Sequence, residues 1–243
     1  MPQEKIKDLV IIIPARYKST RFPGKPLVDI LGKSMIRRVW EVCVQVLPSD
    51  CIYVATDDKR IYEHCKTHNI NSVMTSRKCL TGTDRVIEVS KKISAKNYIN
   101  VQGDEPVISH NDIKKFIINI KKYPNKILNG VTRITNKKDY EKNSIPKVVF
   151  NKQNELIYMS RSVIPGSKRK EFKNGYRQVC IYSFPKKVLN NKKFYNKKTP
   201  LEYIEDIEIL RFIEHGEKVQ MIEVSNSSIA VDYPSDLLRV KRF

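Results

Sequence analysis

Arg16, Lys18, Arg21 and Lys25 crowd into one loop with Ser19, Thr20 and Gly24, directly after the apolar run Leu9 to Ile13. Four cationic side chains, two hydroxyls and a glycine can surround a polyphosphate with charge-assisted hydrogen bonds and leave backbone N–H groups free to contribute. The G-x-x-x-x-G-K-[ST] spacing of a Walker loop is absent. A solvated basic loop is the ordinary reading of such a run; its place after a buried strand favours a phosphate site. Further on, Tyr98 to Val101 leads into Gln102-Gly103-Asp104-Glu105-Pro106. A carboxylate just past a strand end, beside a glycine that lets a ligand approach, suits magnesium, which takes one or two carboxylates and completes its shell with water and phosphate oxygens. Asp232, after Ala230-Val231 and before Tyr233-Pro234-Ser235-Asp236, is a second candidate; on local sequence it reads equally as a turn or helix cap. Two strand-end carboxylates facing a basic loop describe metal-assisted phosphoryl or nucleotidyl transfer.

These residues need elements to hold them. Leu9-Val10-Ile11-Ile12-Ile13, closed by Pro14, predicts a strand buried on both faces. Ile36, Val39, Trp40, Cys43, Val46 and Leu47 recur at helical spacing up to Pro48. Cys51 to Ala55 predicts a second strand, and Asp57 or Asp58 can cap a helix carrying Ile61 and Cys65. Ser72 to Thr75 predicts a third strand, and Val86, Val89 and Ile93 a helix with Thr83 as its cap. Tyr98 to Val101 is the next strand, followed by a helix with Ile113, Phe116, Ile117 and Ile120 on one face. Strands alternating with amphipathic helices predict an α/β fold, a mostly parallel sheet covered on both sides. In such a sheet ligands bind at the carboxyl ends of the strands, which singles out the loops after Ile13, Ala55, Val101 and Val231.

From about Val131 the rhythm changes. Lys147 to Phe150 and Leu156 to Met159 predict a hairpin around Asn151 to Asn154, and Gln178 to Phe184 predicts another strand. One long helix is expected from about Leu201 to His215, stopped by Gly216. Val219 to Val224, Ala230 to Asp232 and a helix from Ser235 follow. The basic segment Gly166 to Tyr176 reads as a mobile loop. With no internal repeat and no evident linker, residues 1–243 are expected to form one domain, with about 131–200 as a β-rich subregion.

The chain's 243 residues allow one large α/β domain with a sizeable core, and 40% hydrophobic with 30% charged residues is too apolar for disorder. No apolar stretch approaches the roughly 20 residues of a membrane span, and the amino terminus does not read as a signal peptide. Forty-six Lys and Arg against 26 Asp and Glu leave a net charge of +20. That surplus fits nucleic acid or anionic small molecules, but much of it lies in Lys-rich segments mixed with Asn and Ile that need no polyanion partner. Five scattered cysteines without a C-x-x-C pair argue against a disulfide framework or zinc knuckle and for a reducing compartment, with the cytoplasm as the expected location. Cys43 and Cys51 read as small core residues.

Taken in order, the segments resemble the bacterial cytidylyltransferases that activate 3-deoxy-D-manno-octulosonate (Kdo), the CMP-Kdo synthetases. The resemblance rests on Ile12-Ile13-Pro14-Ala15-Arg16-Tyr17, Ser19-Thr20-Arg21, Pro23-Gly24-Lys25-Pro26-Leu27, Val54-Ala55-Thr56-Asp57 and Met74-Thr75 with Thr81-Gly82-Thr83-Asp84-Arg85. It continues through Asn100-Val101-Gln102-Gly103-Asp104-Glu105-Pro106, Ser160-Arg161-Ser162 with Ile164-Pro165, Pro200-Leu201-Glu202 with Ile204-Glu205, Leu210-Arg211, Gly216-Glu217-Lys218 and Val231-Asp232 with Pro234. It implies a cytoplasmic, Mg2+-dependent enzyme with a Rossmann-like nucleotidyltransferase fold, usually a homodimer through a smaller β-rich part. The enzyme would couple CTP to a 3-deoxy-ulosonic acid, releasing pyrophosphate, for lipopolysaccharide, capsule or another glycan.

Carried onto this chain, Ala15, Arg16, Arg21 and Lys25 would meet the nucleotide, its triphosphate held by the three cations. Thr75, Gly82, Thr83 and Arg85 would surround the cytidine. Asp104 and Asp232 would bind the metal and, with Arg16 and Lys25, form the catalytic set. Gln102, Arg161, Gln178 and Glu208 would face the sugar acid. No strong general base is evident, so a metal-acidified sugar hydroxyl is the economical expectation. Three departures stand out. Gln178-Val179-Cys180 replaces the usual His-Leu-Gly, Ile209 replaces a Gln, and Cys79 and Thr81 replace a His and a Ser. A lost polar partner is worth about ten- to a hundredfold in selectivity, so an altered acceptor is expected alongside neutral drift. The alternatives are a nucleotidyltransferase with another nucleotide or an aldose phosphate, and a basic nucleic-acid-binding protein. No binding motif or aromatic-rich basic strand favours the latter.

Overall fold

The computed structural model describes residues 7–169, 171–172 and 174–241. Its strands are β1 (Lys7–Ala15), β2 (Asp29–Ile30), β3 (Lys33–Ser34), β4 (Ile52–Thr56), β5 (Ser72–Met74), β6 (Ala95–Val101), β7 (Ile127–Ile134), β8 (Lys147–Phe150), β9 (Leu156–Ser160), β10 (Gly175–Pro185) and β11 (Val219–Glu223). Its α-helices are α1 (Met35–Cys43), α2 (Lys59–Thr67), α3 (Gly82–Lys92), α4 (His110–Lys122), α5 (Lys137–Glu141), α6 (Lys186–Leu189), α7 (Pro200–Glu205), α8 (Leu210–Glu214) and α9 (Leu237–Val240). The central sheet runs β11-β7-β10-β6-β1-β4-β5, with β8 and β9 branching from β10. Every pair on that path is parallel except those made by β10, which runs against β6 and β7. The expected mostly parallel α/β sheet is present.

Val10 to Ile13 have no solvent exposure, because Val10 and Ile12 enter the core on the α3 side while Ile11 and Ile13 enter the one on the α1–α4 side. That two-sided burial is why β1 reads as an unbroken apolar run. Ser34 caps α1, whose Ile36, Val39 and Cys43 are buried. Asp58, one of the two expected candidates, caps α2 by accepting the Arg60 N–H at 2.9 Å. The parallel strands β1, β4, β5 and β6 bring the loops after Ala15, Thr56, Met74 and Val101 to one end of the sheet.

Several expectations are corrected. Thr81, not Thr83, caps α3, in a capping box with Asp84. The single helix from Leu201 to His215 is two short helices, broken where Asp206 takes a left-handed φ of 50°; Gly216, at φ 82°, ends the second as expected. Gly175 and Tyr176 belong to β10 rather than to a loop, and Lys170 and Lys173 of that segment lie outside the described residues. Ala230 to Asp232 does not form the expected strand. Cys43 is a core residue, but Cys51 is half-buried in the turn before β4. All five cysteines are free thiols.

β7 was not legible as a strand, because Asn129 and Gly130 sit at its centre. The structure uses both. β10 slips register between Val179 and Tyr182 opposite this point, and the Asn129 amide donates to the Val179 and Ile181 carbonyls at 3.1 and 3.0 Å. A Cβ on Gly130 would lie 2.8 Å from the Ile181 side chain.

Candidate active site

The loop after β1 is pinned before it presents its cations. Gly24, at φ 73°, donates its N–H to the Tyr17 carbonyl at 2.9 Å and lies against the Tyr17 phenol. The Arg60 guanidinium covers the Tyr17 ring at 3.3 Å from its centroid. Lys25 follows in the first turn of a short 3-10 helix. Its ammonium, on a mostly buried side chain, lies 2.6 Å from Asp104 Oδ2, 2.8 Å from the Val231 carbonyl and 3.9 Å from Asp232 Oδ1. Arg21 Nη2 approaches the same Asp232 oxygen at 3.0 Å and its guanidinium stands over Tyr233. Asp104, Asp232, Arg21 and Lys25 therefore converge on one point.

Asp232 reaches this point because the chain after β11 runs beside the segment after β6. Asp112 on α4 accepts the Ser225 N–H at 2.9 Å, the Ser228 hydroxyl donates to Glu105, and the Val231 N–H donates to the Asp104 carbonyl at 2.9 Å. Glu105 is buried, and burial pushes its carboxyl up to about 7, against the Ser228 hydrogen bond. The alternative role for Asp232, a cap, belongs to Asp236, which accepts the N–H groups of Asp232 and Tyr233 at 2.9 Å each.

Gly103 has a different role from the one expected. A Cβ there would lie 2.6 Å from the Pro14 carbonyl, so the missing side chain admits the β1 backbone rather than a ligand. Gly103→Ala is expected to separate the Asp104 loop from the β1 loop. Turnover should fall roughly 10- to 100-fold in a folded protein, the scale of a small misplacement of reacting groups. Steady-state rates beside a melting curve check this, and wild-type kcat would refute it.

A second cluster surrounds the α3 N-terminus. The Gly82 and Thr83 N–H groups donate to Glu208 at 3.2 and 2.8 Å, joined by the Thr83 hydroxyl, and a Cβ on Gly82 would touch the Gln102 amide at 3.1 Å. Gln178 donates to Asn129 Oδ1 at 2.9 Å and to the Tyr182 hydroxyl at 3.2 Å. Burial pushes the Tyr182 hydroxyl well up, with smaller contributions from Cys180 and Glu208. Gln102, Gly82, Thr83 and Glu208 thus form one polar cluster, and Gln178, Asn129 and Tyr182 a buried hydrogen-bonded group.

Thr75 and Arg85 are both buried, and each is committed to the frame. Arg85 Nη1 donates to the Thr75 hydroxyl at 2.6 Å, and its Nη2 lies 3.2 Å from Asp57. Ala15 is buried and Arg16 exposed at the end of β1. Arg161 lies at the α7–α8 break, its Nη1 and Nη2 on the Asn143 and Asp206 carbonyls at 3.2 and 3.1 Å. Lys198 holds the Asp206 carboxyl below its ordinary range, with Arg161 and Arg16 adding to the effect. Ile209 is fully buried in the core.

Sequence reasoning missed Tyr182, Asp57 and Glu105 as participants. Asp57 stood beside the expected helix cap, and Glu105 next to the expected ligand, so position alone could have raised them. Nothing local marks Tyr182.

A model of the cytidylyltransferase family matches residues 10–219. A 3-deoxy-manno-octulosonate cytidylyltransferase of Protochlamydia amoebophila is 37% identical over 249 residues, covering 99% of this chain and 95% of the relative. This chain is a 3-deoxy-manno-octulosonate cytidylyltransferase family member. The family's enzyme of that name from Escherichia coli is 36% identical, covering 96% of this chain and 94% of its own. A CMP:2-keto-3-deoxy-manno-octonic acid synthetase solved with CTP superposes with a TM-score of 0.90 at 35% identity, covering 97% of this chain and 98% of that one. The Rossmann-like nucleotidyltransferase fold of the cytidylyltransferase family is therefore the fold of this chain.

The two carboxylates fit a divalent ion. Both approach a single cation, the Lys25 ammonium, and magnesium needs no more than two protein carboxylates beside phosphate and water oxygens. No group of three or more His, Cys, Asp or Glu able to hold a metal occurs among the described residues, so a dedicated all-protein cage is not what they form.

Proposed function

We propose that the protein transfers the cytidylyl group of CTP to the anomeric hydroxyl of a 3-deoxy-ulosonic acid, Kdo or a close variant, with release of pyrophosphate. The observation that carries this reading is the convergence of Asp104 and Asp232 on Lys25 and Arg21 at the strand ends. Arg16, Arg21 and Lys25 bind the triphosphate and offset the repulsion between two anionic reactants. Thr75, Gly82, Thr83 and Arg85 frame the cytidine, while Gln102, Arg161, Gln178 and Glu208 orient the sugar acid for in-line attack. Asp104 and Asp232 would hold Mg2+, which supplies charge neutralisation at the phosphates and acidifies a nearby hydroxyl when bound.

The same reading places the enzyme in the cytoplasm, in support of surface glycan synthesis. Five free thiols agree with a reducing compartment, and no helix among the described residues is long and apolar enough to cross a membrane. Exposed Ile157 on β9 and the nearby exposed Val163 support self-association as a homodimer through the 131–200 part.

Pyrophosphate release with a panel of nucleotides and acceptors tests the function. Turnover is expected with CTP and a ulosonic acid in the presence of Mg2+. Absence of release with every ulosonic acid, or preference for another nucleotide, would overturn it. Kdo as the best acceptor would end the case for an altered acceptor built on Gln178.

A further inference from the structure

Lys147 has no solvent exposure, in the strand β8 between β9 and β10. Its register partners are Ser160 on β9 and Arg177 on β10. A buried ammonium is costly unless its N–H groups are satisfied, and Met or Leu would fill a comparable volume without desolvating a charge. The ammonium is explained by what it holds: it donates to the main-chain carbonyl of Lys142 at 2.9 Å and to that of Arg161. Burial lowers its pKa, the nearby Arg161 charge adds to that, and Glu205 opposes it.

The Arg161 backbone is also held at its amide, on the preceding peptide group. Its N–H donates to Glu205 Oε2 at 2.8 Å, and the other oxygen of that carboxylate takes the hydroxyls of Ser160 and Tyr158. The guanidinium is braced as well. Nε and Nη2 donate to the carbonyls of Glu205 and Asp206, and Nη1 to that of Asn143. The first two carbonyls are free because α7 ends at the left-handed Asp206 and leaves its last C=O groups without helical partners. Nη2 also lies 4.0 Å from the Asp206 carboxylate, and each terminal nitrogen keeps one N–H beyond its main-chain bond with which an acceptor carboxylate could be met. The side chain remains one-third exposed.

We propose that Lys147 is a positioning residue for the acceptor: by fixing the Arg161 carbonyl from inside the core, it sets where the Arg161 guanidinium meets the carboxylate of the sugar acid. The inference rests on the reading of Arg161 as an acceptor contact.

Kinetics with CTP, Kdo and Mg2+ on Lys147→Met, Lys147→Arg, Arg161→Met and the Lys147→Met/Arg161→Met double variant test both. Each Lys147 variant should raise the KM for Kdo roughly tenfold or more while the KM for CTP stays within about twofold. The double variant should add little to Arg161→Met, since both changes act through one contact. Where Lys147→Met gives no soluble protein, Lys147→Arg carries the test, because it keeps the charge but not a single ammonium between the two carbonyls. An unchanged KM for Kdo in a folded Lys147 variant, or KM values for Kdo and CTP that rise together, would refute the positioning role. If Arg161→Met raises the KM for Kdo and the Lys147 variants do not, the Lys147 assignment alone falls. If Arg161→Met leaves it unchanged, the acceptor role of Arg161 falls and that of Lys147 with it.

Discussion

Asp104→Asn and Asp232→Asn should each cut turnover by about three orders of magnitude or more, roughly 4 kcal/mol of transition-state stabilisation, while the fold persists. The asymmetry follows from where the carboxylates lie. Both side chains are partly exposed at the end of the sheet, and their partners, Lys25 and Arg21, are loop cations rather than core atoms. Removing either charge leaves the packing of β1 and β6 intact, but it halves the set that can hold a divalent ion against the triphosphate. Single-turnover rates with CTP and Kdo over a range of Mg2+, beside melting curves, measure both halves of the claim. Near-normal turnover in either variant would remove that residue from the metal site. A melting temperature that collapses would instead make the aspartate a structural residue.

Arg211→Met should destabilise the folded protein by about 3–5 kcal/mol, the cost of breaking a buried ion cluster by deleting one member. Arg211, Asp84 and Glu202 are all withdrawn from solvent. The guanidinium donates Nη1 to Asp84 at 2.7 Å, and Nε and Nη2 to Glu202 at 2.8 and 2.6 Å. Its loss strands two carboxylates in the core. Burial already pushes the Glu202 carboxyl above its ordinary range even with Arg211 present. Asp84 is also half of the α3 capping box, so the damage spreads to Gly82 and Thr83 and through them to Glu208. Urea titrations of Arg211→Met and of Arg211→Met with Asp84→Asn and Glu202→Gln separate the terms. The triple variant should recover part of the loss, because neutral partners no longer need a counter-charge. A loss below about 1 kcal/mol in Arg211→Met, the scale of an exposed pair, would refute the account.

The first half of the fold was legible because its strands are buried on both faces, although the α3 cap was placed two residues late, at Thr83 instead of Thr81. Leu9 to Ile13 and the Asp58 cap announce themselves within a few residues. The second half was harder for identifiable reasons. β7 hides behind Asn129 and Gly130, which read as turn residues until the slipped register of β10 shows what they accommodate. The α7–α8 break depends on the single left-handed residue Asp206, and helical spacing runs straight through it. At the site, residue type and strand-end position brought out Asp104, Lys25 and Arg21. Asp232 was ambiguous because its rival role as a cap could be assigned only once Asp236 was seen taking it. The cluster around Arg211 depends on Asp84, 127 residues away, and the one around Lys147 and Arg161 on Glu205, 44 residues from Arg161, so no local pattern signals them.

The strap from Ser225 to Asp232 also bears on the order in which the proposed site is assembled during synthesis. Every strand of the central sheet precedes it, whereas Asp232, half of the acidic pair, is its last residue. A nascent chain halted on the ribosome after β11 would carry the complete sheet and the basic loop yet lack Asp232, and with it half of the proposed metal site. On the proposed role of Asp232, catalytic competence would arrive in a late step, when this ribbon zips onto the segment from Asp104 to Asp112.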